Sequence, residues 1–205
     1  MSRHVSDSVS LESTRRRLTR KQAETIHRLS TAAITVLSRE GFGGLTIRLV
    51  AAEAGVGAAT AYTYFSSKEH LVAEVFWRRL ACSPSPTTDD GTTPADRAVA
   101  VLRHIALLVA DEPEFASAVT AALLGRDPDV QHLRDRIGRE IRGRLGQALG
   151  ADSDPKLVNA LELLYTGALV YAGMGYASYT EVADRLENSA RLLFESADGI
   201  ARIGR

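Results

Sequence analysis

Thr46, Arg48, Thr60, Tyr62, Tyr64 and Lys68 are gathered in one stretch, GLTIRLVAAEAGVGAATAYTYFSSKEHL, residues 44–71. Hydroxyls, a guanidinium and an ammonium in so short a span, with acids only at Glu53 and Glu69, suit contact with a polyanion. Hydroxyls and ammonium groups bind phosphate oxygens, whereas an arginine fork can pair with a guanine edge. Ala58 and Ala59 add methyl groups that permit close approach, including to a thymine methyl. Thr63 falls on an uncertain side of its helix. Catalysis is poorly served by comparison. The histidines at 4, 27, 70, 104 and 132 are scattered, without an H-x-x-x-H pair, and no nucleophile–base pair is evident. The lone Cys82 forms neither an internal disulfide nor a cysteine-based metal site. No catalytic residue, metal site or cofactor is therefore expected, and an all-helical enzyme is a remote alternative.

The elements that must position these groups follow from apolar spacing and punctuation. Ile26, Leu29, Ala33, Val36 and Leu37 share one helical face, predicting a helix from about Arg20 to Arg39. Gly41, Gly43 and Gly44 stop it, Gly41 as a left-handed cap. Thr46 caps a second helix whose buried stripe is Ile47, Val50, Ala51 and Ala54. Gly55 ends that helix, Val56 plugs the turn, and a third helix spans about Ala58–Tyr64. This is a helix-turn-helix pattern over about 46–64, whose second helix can enter a major groove. Ser66 and Glu69 read as a capping box for a fourth helix with Leu71, Val72, Val75, Phe76 and Leu80 inside, and Phe65 as a core anchor.

Gly55-Val56-Gly57-Ala58-Ala59-Thr60-Ala61-Tyr62-Thr63-Tyr64-Phe65-Ser66-Ser67-Lys68 resembles the signature of the TetR family of bacterial transcription regulators. The likeness extends back through Gly44-Leu45-Thr46 and the first helix, covering about residues 20–75. It implies a homodimer that binds a palindromic double-stranded operator and is released by a small effector held in the C-terminal domain. Thr46, Thr60, Tyr62, Tyr64 and Lys68 are then expected to position the protein on phosphates, with Arg48, Ala58 and Ala59 reading bases. For either tyrosine taken alone, a core role is about as good a reading as DNA contact; the resemblance favours Tyr62. Gly57, Ala59 and Ala61 depart from the residues frequent in the family. The first removes a side-chain cap and the last thins the packing behind Tyr62. Readout then rests more on Arg48, a basic arm and DNA shape.

The chain beyond this stretch is read as its control. Through Leu80 there are 12 Lys/Arg against 7 Asp/Glu, and from Ala81 onward 13 against 18, which suggests different partners for the two parts. Residues 1–18, with Arg15-Arg16-Arg17, read as a flexible basic arm, residues 19–80 as the DNA-binding domain and 81–93 as a loop. Residues 94–205 read as a helical ligand-binding and dimerisation domain. Its helices fall near 94–110, 113–124, 127–149, 154–177 and 180–197, three of them begun by Thr93-Pro94, Asp127-Pro128 and Asp154-Pro155. The expected fold is all-α with about nine helices. The helices over 154–177 and 180–197 suit a two-fold four-helix bundle. Candidate ligand contacts are Phe76, Trp77, Leu102, Ile105, Leu108, Phe115, Val119, Leu123, Leu164, Tyr165 and Tyr171, with His104 as a polar handle. A mainly apolar pocket of that kind would suit a lipid, steroid, drug or aromatic metabolite. An activator or ligand-independent regulator fits the same sequence. With no signal-peptide core and no apolar run of membrane length, a cytoplasmic setting is expected.

Overall fold

The computed structural model describes residues 19–87, 91–151 and 153–203, with side chains to 196. The arm expected over 1–18 lies outside the described residues, as do 88–90 of the expected loop. Among the described residues there are nine helices and no strand. They are α1 (Arg20–Gly44), α2 (Ile47–Glu53), α3 (Ala58–Tyr64), α4 (Lys68–Cys82), α5 (Pro94–Leu107), α6 (Pro113–Leu124), α7 (Pro128–Leu149), α8 (Pro155–Gly173) and α9 (Tyr179–Ile203). Among them none is long and apolar enough to cross a membrane.

Local chemistry explains where these helices begin. Thr19 and Gln22 form a reciprocal capping box at the start of α1, and the Thr46 hydroxyl accepts the Leu49 N–H at 3.2 Å to start α2. Thr93, Asp127 and Asp154 cap α5, α7 and α8, each followed by proline at the first helical position. The expected stripe of α1 is buried from Ile26 to Leu37. Gly41 takes a left-handed φ of 64°, as expected of it, but one further turn, Phe42–Gly44, follows before Leu45.

Several boundaries differ from expectation, among them the end of α9, which runs to Ile203 rather than 197. The cap of α4 is Ser67, whose hydroxyl accepts the His70 N–H at 2.9 Å; the Ser66–Glu69 capping box does not form. Phe65 is buried and extended, so the chain turns one residue later, and the Ser66 hydroxyl is carried to Asp129 of α7 at 2.5 Å. Helix α8 stops at Gly173 rather than 177, because Gly175 turns the chain through φ 79°.

Helix α4 organises the molecule. Seven consecutive residues, Leu71–Trp77, are buried, so α4 has no broad solvent face; it packs chiefly on α6 and α7 and also on α1, which itself packs on α6. Arg144, 7% exposed, closes its C-terminus by donating to Leu80 O at 2.7 Å and Ser83 O at 2.9 Å. Arg79 donates to Leu108 O at 3.0 Å, pairs with Glu112 and lies over the Phe115 ring. Helix α5 packs on α7 and α9, and α8 on α9.

Small residues set two close approaches. A Cβ at Gly173 would lie 2.4 Å from Thr120 Cγ2, so α8 can meet α6 there only with glycine. Gly55 has φ 61°, and a Cβ on it would stand 3.1 Å from Arg28 Nη2. That guanidinium donates to Ala54 O and, at 3.1 Å, to Gly55 O, tying α1 to the turn between α2 and α3.

Two mutations test this packing by thermal or denaturant unfolding. Gly173→Ala is expected to lower stability by about 1–3 kcal/mol, the usual cost of overpacking. Arg28→Ala is expected to cost about 1 kcal/mol, since its bonds are made at an exposed surface.

Candidate nucleic-acid interface and ligand cavity

The α2–α3 unit presents a compact face built mainly from small side chains. Thr46, Arg48, Ala58, Ala59 and Thr60 are all exposed, and Tyr62 is 48% exposed. Arg48 makes no hydrogen bond or ion pair among the described residues, which leaves its full fork free for a base edge. Gly57 precedes α3 without any side-chain cap, so the first N–H groups of α3 receive none. Behind this face Ala61 is fully buried, together with Phe65, Val50 and Ala51. Thr63 is exposed and its hydroxyl donates back to Ala59 O at 3.1 Å, a bond within its own helix.

Two expected contacts have other work in the structure. Tyr64 is half-buried and packs against the core, so its ring serves chiefly to seat α3. The Lys68 ammonium donates to Phe42 O at 2.8 Å and sits 4.5 Å from the centroid of the Phe42 ring. It therefore ties the start of α4 to the end of α1, keeping at most its remaining donors for a phosphate. The residue that sequence reasoning missed is Arg28. Its signal was faint, an arginine on the polar side of α1, and its target carbonyls could be recognised only once α1 and the turn were juxtaposed.

The second site is a cavity of about 630 Å³, open to solvent on one side, between α4, α6, α7 and α8. Phe76, Val119, Leu123, Ile137, Ile141, Leu169 and Val170 give it an apolar wall, and Thr120, Arg134, Asp135, Arg139, Arg142, Glu162 and Thr166 supply polar groups. Tyr165 also lines it. That residue is 3% exposed, its hydroxyl has no partner, and burial pushes its phenol well above the ordinary range.

Of the ligand contacts expected from sequence, Phe76, Val119, Leu123 and Tyr165 lie on this wall, and the other eight do not. Trp77, Leu102, Ile105 and Phe115 are filled core, and Leu108 packs against that core. His104 meets the Ser83 hydroxyl at 2.5 Å, and burial, followed by the nearby Arg144 charge, lowers its pKa. Leu164 and Tyr171 face away from the cavity, along a surface groove shared by α8 and α9 with Leu163, Gly167 and Arg185. For the five that lie in or against the core, Trp77, Leu102, Ile105, Leu108 and Phe115, the physical reason is the same. Apolar residues at helical spacing mark a buried face, and a cavity is only that part of a buried face which the opposing helix fails to fill. Ile137 and Ile141, one turn apart on α7, carried a signal of the same kind and were passed over.

Cavity and helix-turn-helix are joined through α4 and α7, and α6 of the cavity wall also packs on α1. Phe76 belongs to α4, which begins immediately after α3. The N-terminus of α7, whose middle forms one cavity wall, contacts the α3–α4 junction through Asp129 and Ser66. Ser66 also meets His70 Nδ1 at 3.2 Å. Beside them the Ser67 hydroxyl holds the Asp127 carboxyl below its ordinary range, helped by the Val130 and Asp129 N–H groups and the nearby His70.

Among the described residues two serine–histidine pairs, Ser66–His70 and Ser83–His104, are hydrogen-bonded, and neither lines the cavity. Glu24 and His27 have E-x-x-H spacing on α1, but among the described residues no group of three or more His, Cys, Asp or Glu is placed to hold a metal.

Comparison with known proteins agrees with this arrangement. The family model for bacterial regulatory proteins of the tetR family matches residues 29–75. An uncharacterised HTH-type transcriptional regulator of Mycobacterium tuberculosis is 47% identical over 184 residues, covering 87% of this chain and 84% of that protein. The HTH-type transcriptional repressor KstR of Rhodococcus jostii is 27% identical over 187 residues, covering 88% and 87%. Among solved structures, a TetR transcriptional regulator from Rhodococcus sp. RHA1 superposes with a TM-score of 0.68 at 22% identity, over 85% of this chain and 97% of that one. With its helix-turn-helix on α2 and α3 and a regulator of nearly half-identical sequence, this chain belongs to the TetR family of DNA-binding bacterial transcriptional regulators.

Proposed function

We propose that this regulator is a homodimeric repressor of a palindromic operator, released when a small, mainly apolar ligand enters the cavity. The observation that carries this reading is the apolar cavity of about 630 Å³, walled in part by the same α4 that follows the recognition helix. Its volume is that of an ordinary small-molecule site. The repressor role is supported by the similarity to KstR, which is named a repressor.

Dimerisation is supported by a partly unpartnered apolar face on α8 and α9. Leu163 is 74% exposed and Leu192 63%, while Gly167, Ala168 and Tyr171 border the groove between the two helices. Exposed leucines over a groove of small residues favour burial by the same face of a second copy.

In the DNA-bound state Arg48, Ala58 and Ala59 read base edges, while Thr46, Thr60 and Tyr62 hold phosphates. Ligand in the cavity displaces α4 and α7, and with them the α3–α4 junction, so that the two recognition helices no longer match successive half-sites. The switch operates because ligand binds the mismatched state more tightly than the matched one.

A gel-shift series with the gene's own upstream DNA tests the reading. Specific binding should weaken steeply with salt, and failure to bind either that DNA or a randomised operator pool contradicts it. Arg48→Ala is expected to lose about 1–3 kcal/mol of discrimination at one base position in each half-site. Tyr62→Phe should weaken all sequences alike, a severalfold loss of one phosphate contact. Equal effects from the two substitutions would refute the division of roles.

A further inference from the structure

Helix α7 carries arginines at 134, 136, 139, 142 and 144, and the protein commits all but one of them to a neighbouring element. Arg134 donates to Leu123 O at 2.8 Å and Gly125 O at 2.7 Å, closing the end of α6. The Arg136 guanidinium lies 4.5 Å from the centroid of the Trp77 ring. Arg142 pairs with Asn159 and Glu162 of α8, and Arg144 closes α4. Arg139 is the exception. It lines the cavity yet is exposed, which places it at the mouth, and its one hydrogen bond is from Nε to Asp135 O of its own helix at 3.2 Å. Its two terminal nitrogens have no partner among the described residues, and no carboxylate there lies within ion-pair distance of it.

Inward from that guanidinium the wall becomes apolar, through Ile137, Ile141 and Leu169. A wholly apolar ligand would fill the apolar volume and leave the Arg139 fork unanswered, and the exposed Asp135 carboxylate, one turn away in the same lining, lies beyond ion-pair distance of it. An anionic oxygen at the mouth meets a planar fork whose geometry matches a carboxylate.

Building on the reading of this cavity as the effector site, we propose that its ligand is an amphipathic acid. The carboxylate lies on Arg139 at the mouth, and the apolar body lies against Ile137, Ile141 and Leu169. Arg139 is then a specificity-determining residue, selecting acids over neutral molecules of the same shape.

Calorimetric titration of the full chain with two acids and their methyl esters tests this: dodecanoate for a linear body and 1-pyrenebutyrate for a polycyclic one. At least one acid should bind about fivefold to tenfold more tightly than its ester, as befits a charge-assisted contact at a solvated mouth. Arg139→Gln should erase that preference and leave ester affinity unchanged, while Arg139→Lys should retain most of it. Equal binding of acid and ester, a preference that survives Arg139→Gln, or binding of neither acid overturns the proposal. If the esters bind and release DNA in the gel shift, ligand-released repression stands while the acid specificity falls. Loss of operator binding in the absence of any ligand would instead remove the repressor reading.

Discussion

The burial of α4 on every side is the constraint from which the rest of the structure follows. Leu71–Trp77 give it no broad solvent face, so it must be enclosed, chiefly by α6 and α7 and also by α1, which packs on α6 in turn. Its ends are fastened by charged groups reaching inward. Lys68 holds the start to the Phe42 carbonyl, and Arg144 closes the end on Leu80 and Ser83. A helix packed this closely cannot deform gradually; it moves as a body or stays put. That property makes it a fit link between a cavity and a recognition helix.

The same constraint explains the economy of the α2–α3 face. With Ala61, Phe65 and the half-buried Tyr64 beneath it and Arg28 bracing the turn, α3 is held by residues other than those on its exposed face. Most of its outward residues are small, which suits close approach of the backbone to a groove and fits the base recognition proposed for Arg48 at the start of α2.

Much of this was legible in the sequence, because caps and punctuation act locally. Thr46, Thr93, Asp127 and Asp154 cap the helices whose starts they predict, and α3 and α6 run over the residues expected of them. Where two adjacent serines competed to cap α4, the outcome depended on Phe65 reaching the core, a tertiary event that no local pattern encodes. The cavity was legible only in part for the same reason. Phe76 and Tyr165 share their periodicity with Phe115 and Leu102, and only the fit between α6, α7 and α8 separates wall from filled core. Polar residues of the wall, Arg139 among them, carried no apolar signal at all.

The central claim is that an occupied cavity weakens the grip of α3 on DNA, and it can be tested without knowing the ligand. Gly138 lines the cavity on α7, and a Cβ there would meet only Glu162 Oε1, at 3.9 Å. Gly138→Phe therefore places a permanent apolar group where the effector would sit. The decisive measurement is the affinity of this variant for the upstream DNA, with helical content and unfolding temperature as controls on the fold. The account predicts a well-folded protein whose operator affinity falls at least about tenfold, a coupling of the usual allosteric size. A well-folded variant that binds the operator as tightly as the parent would contradict it.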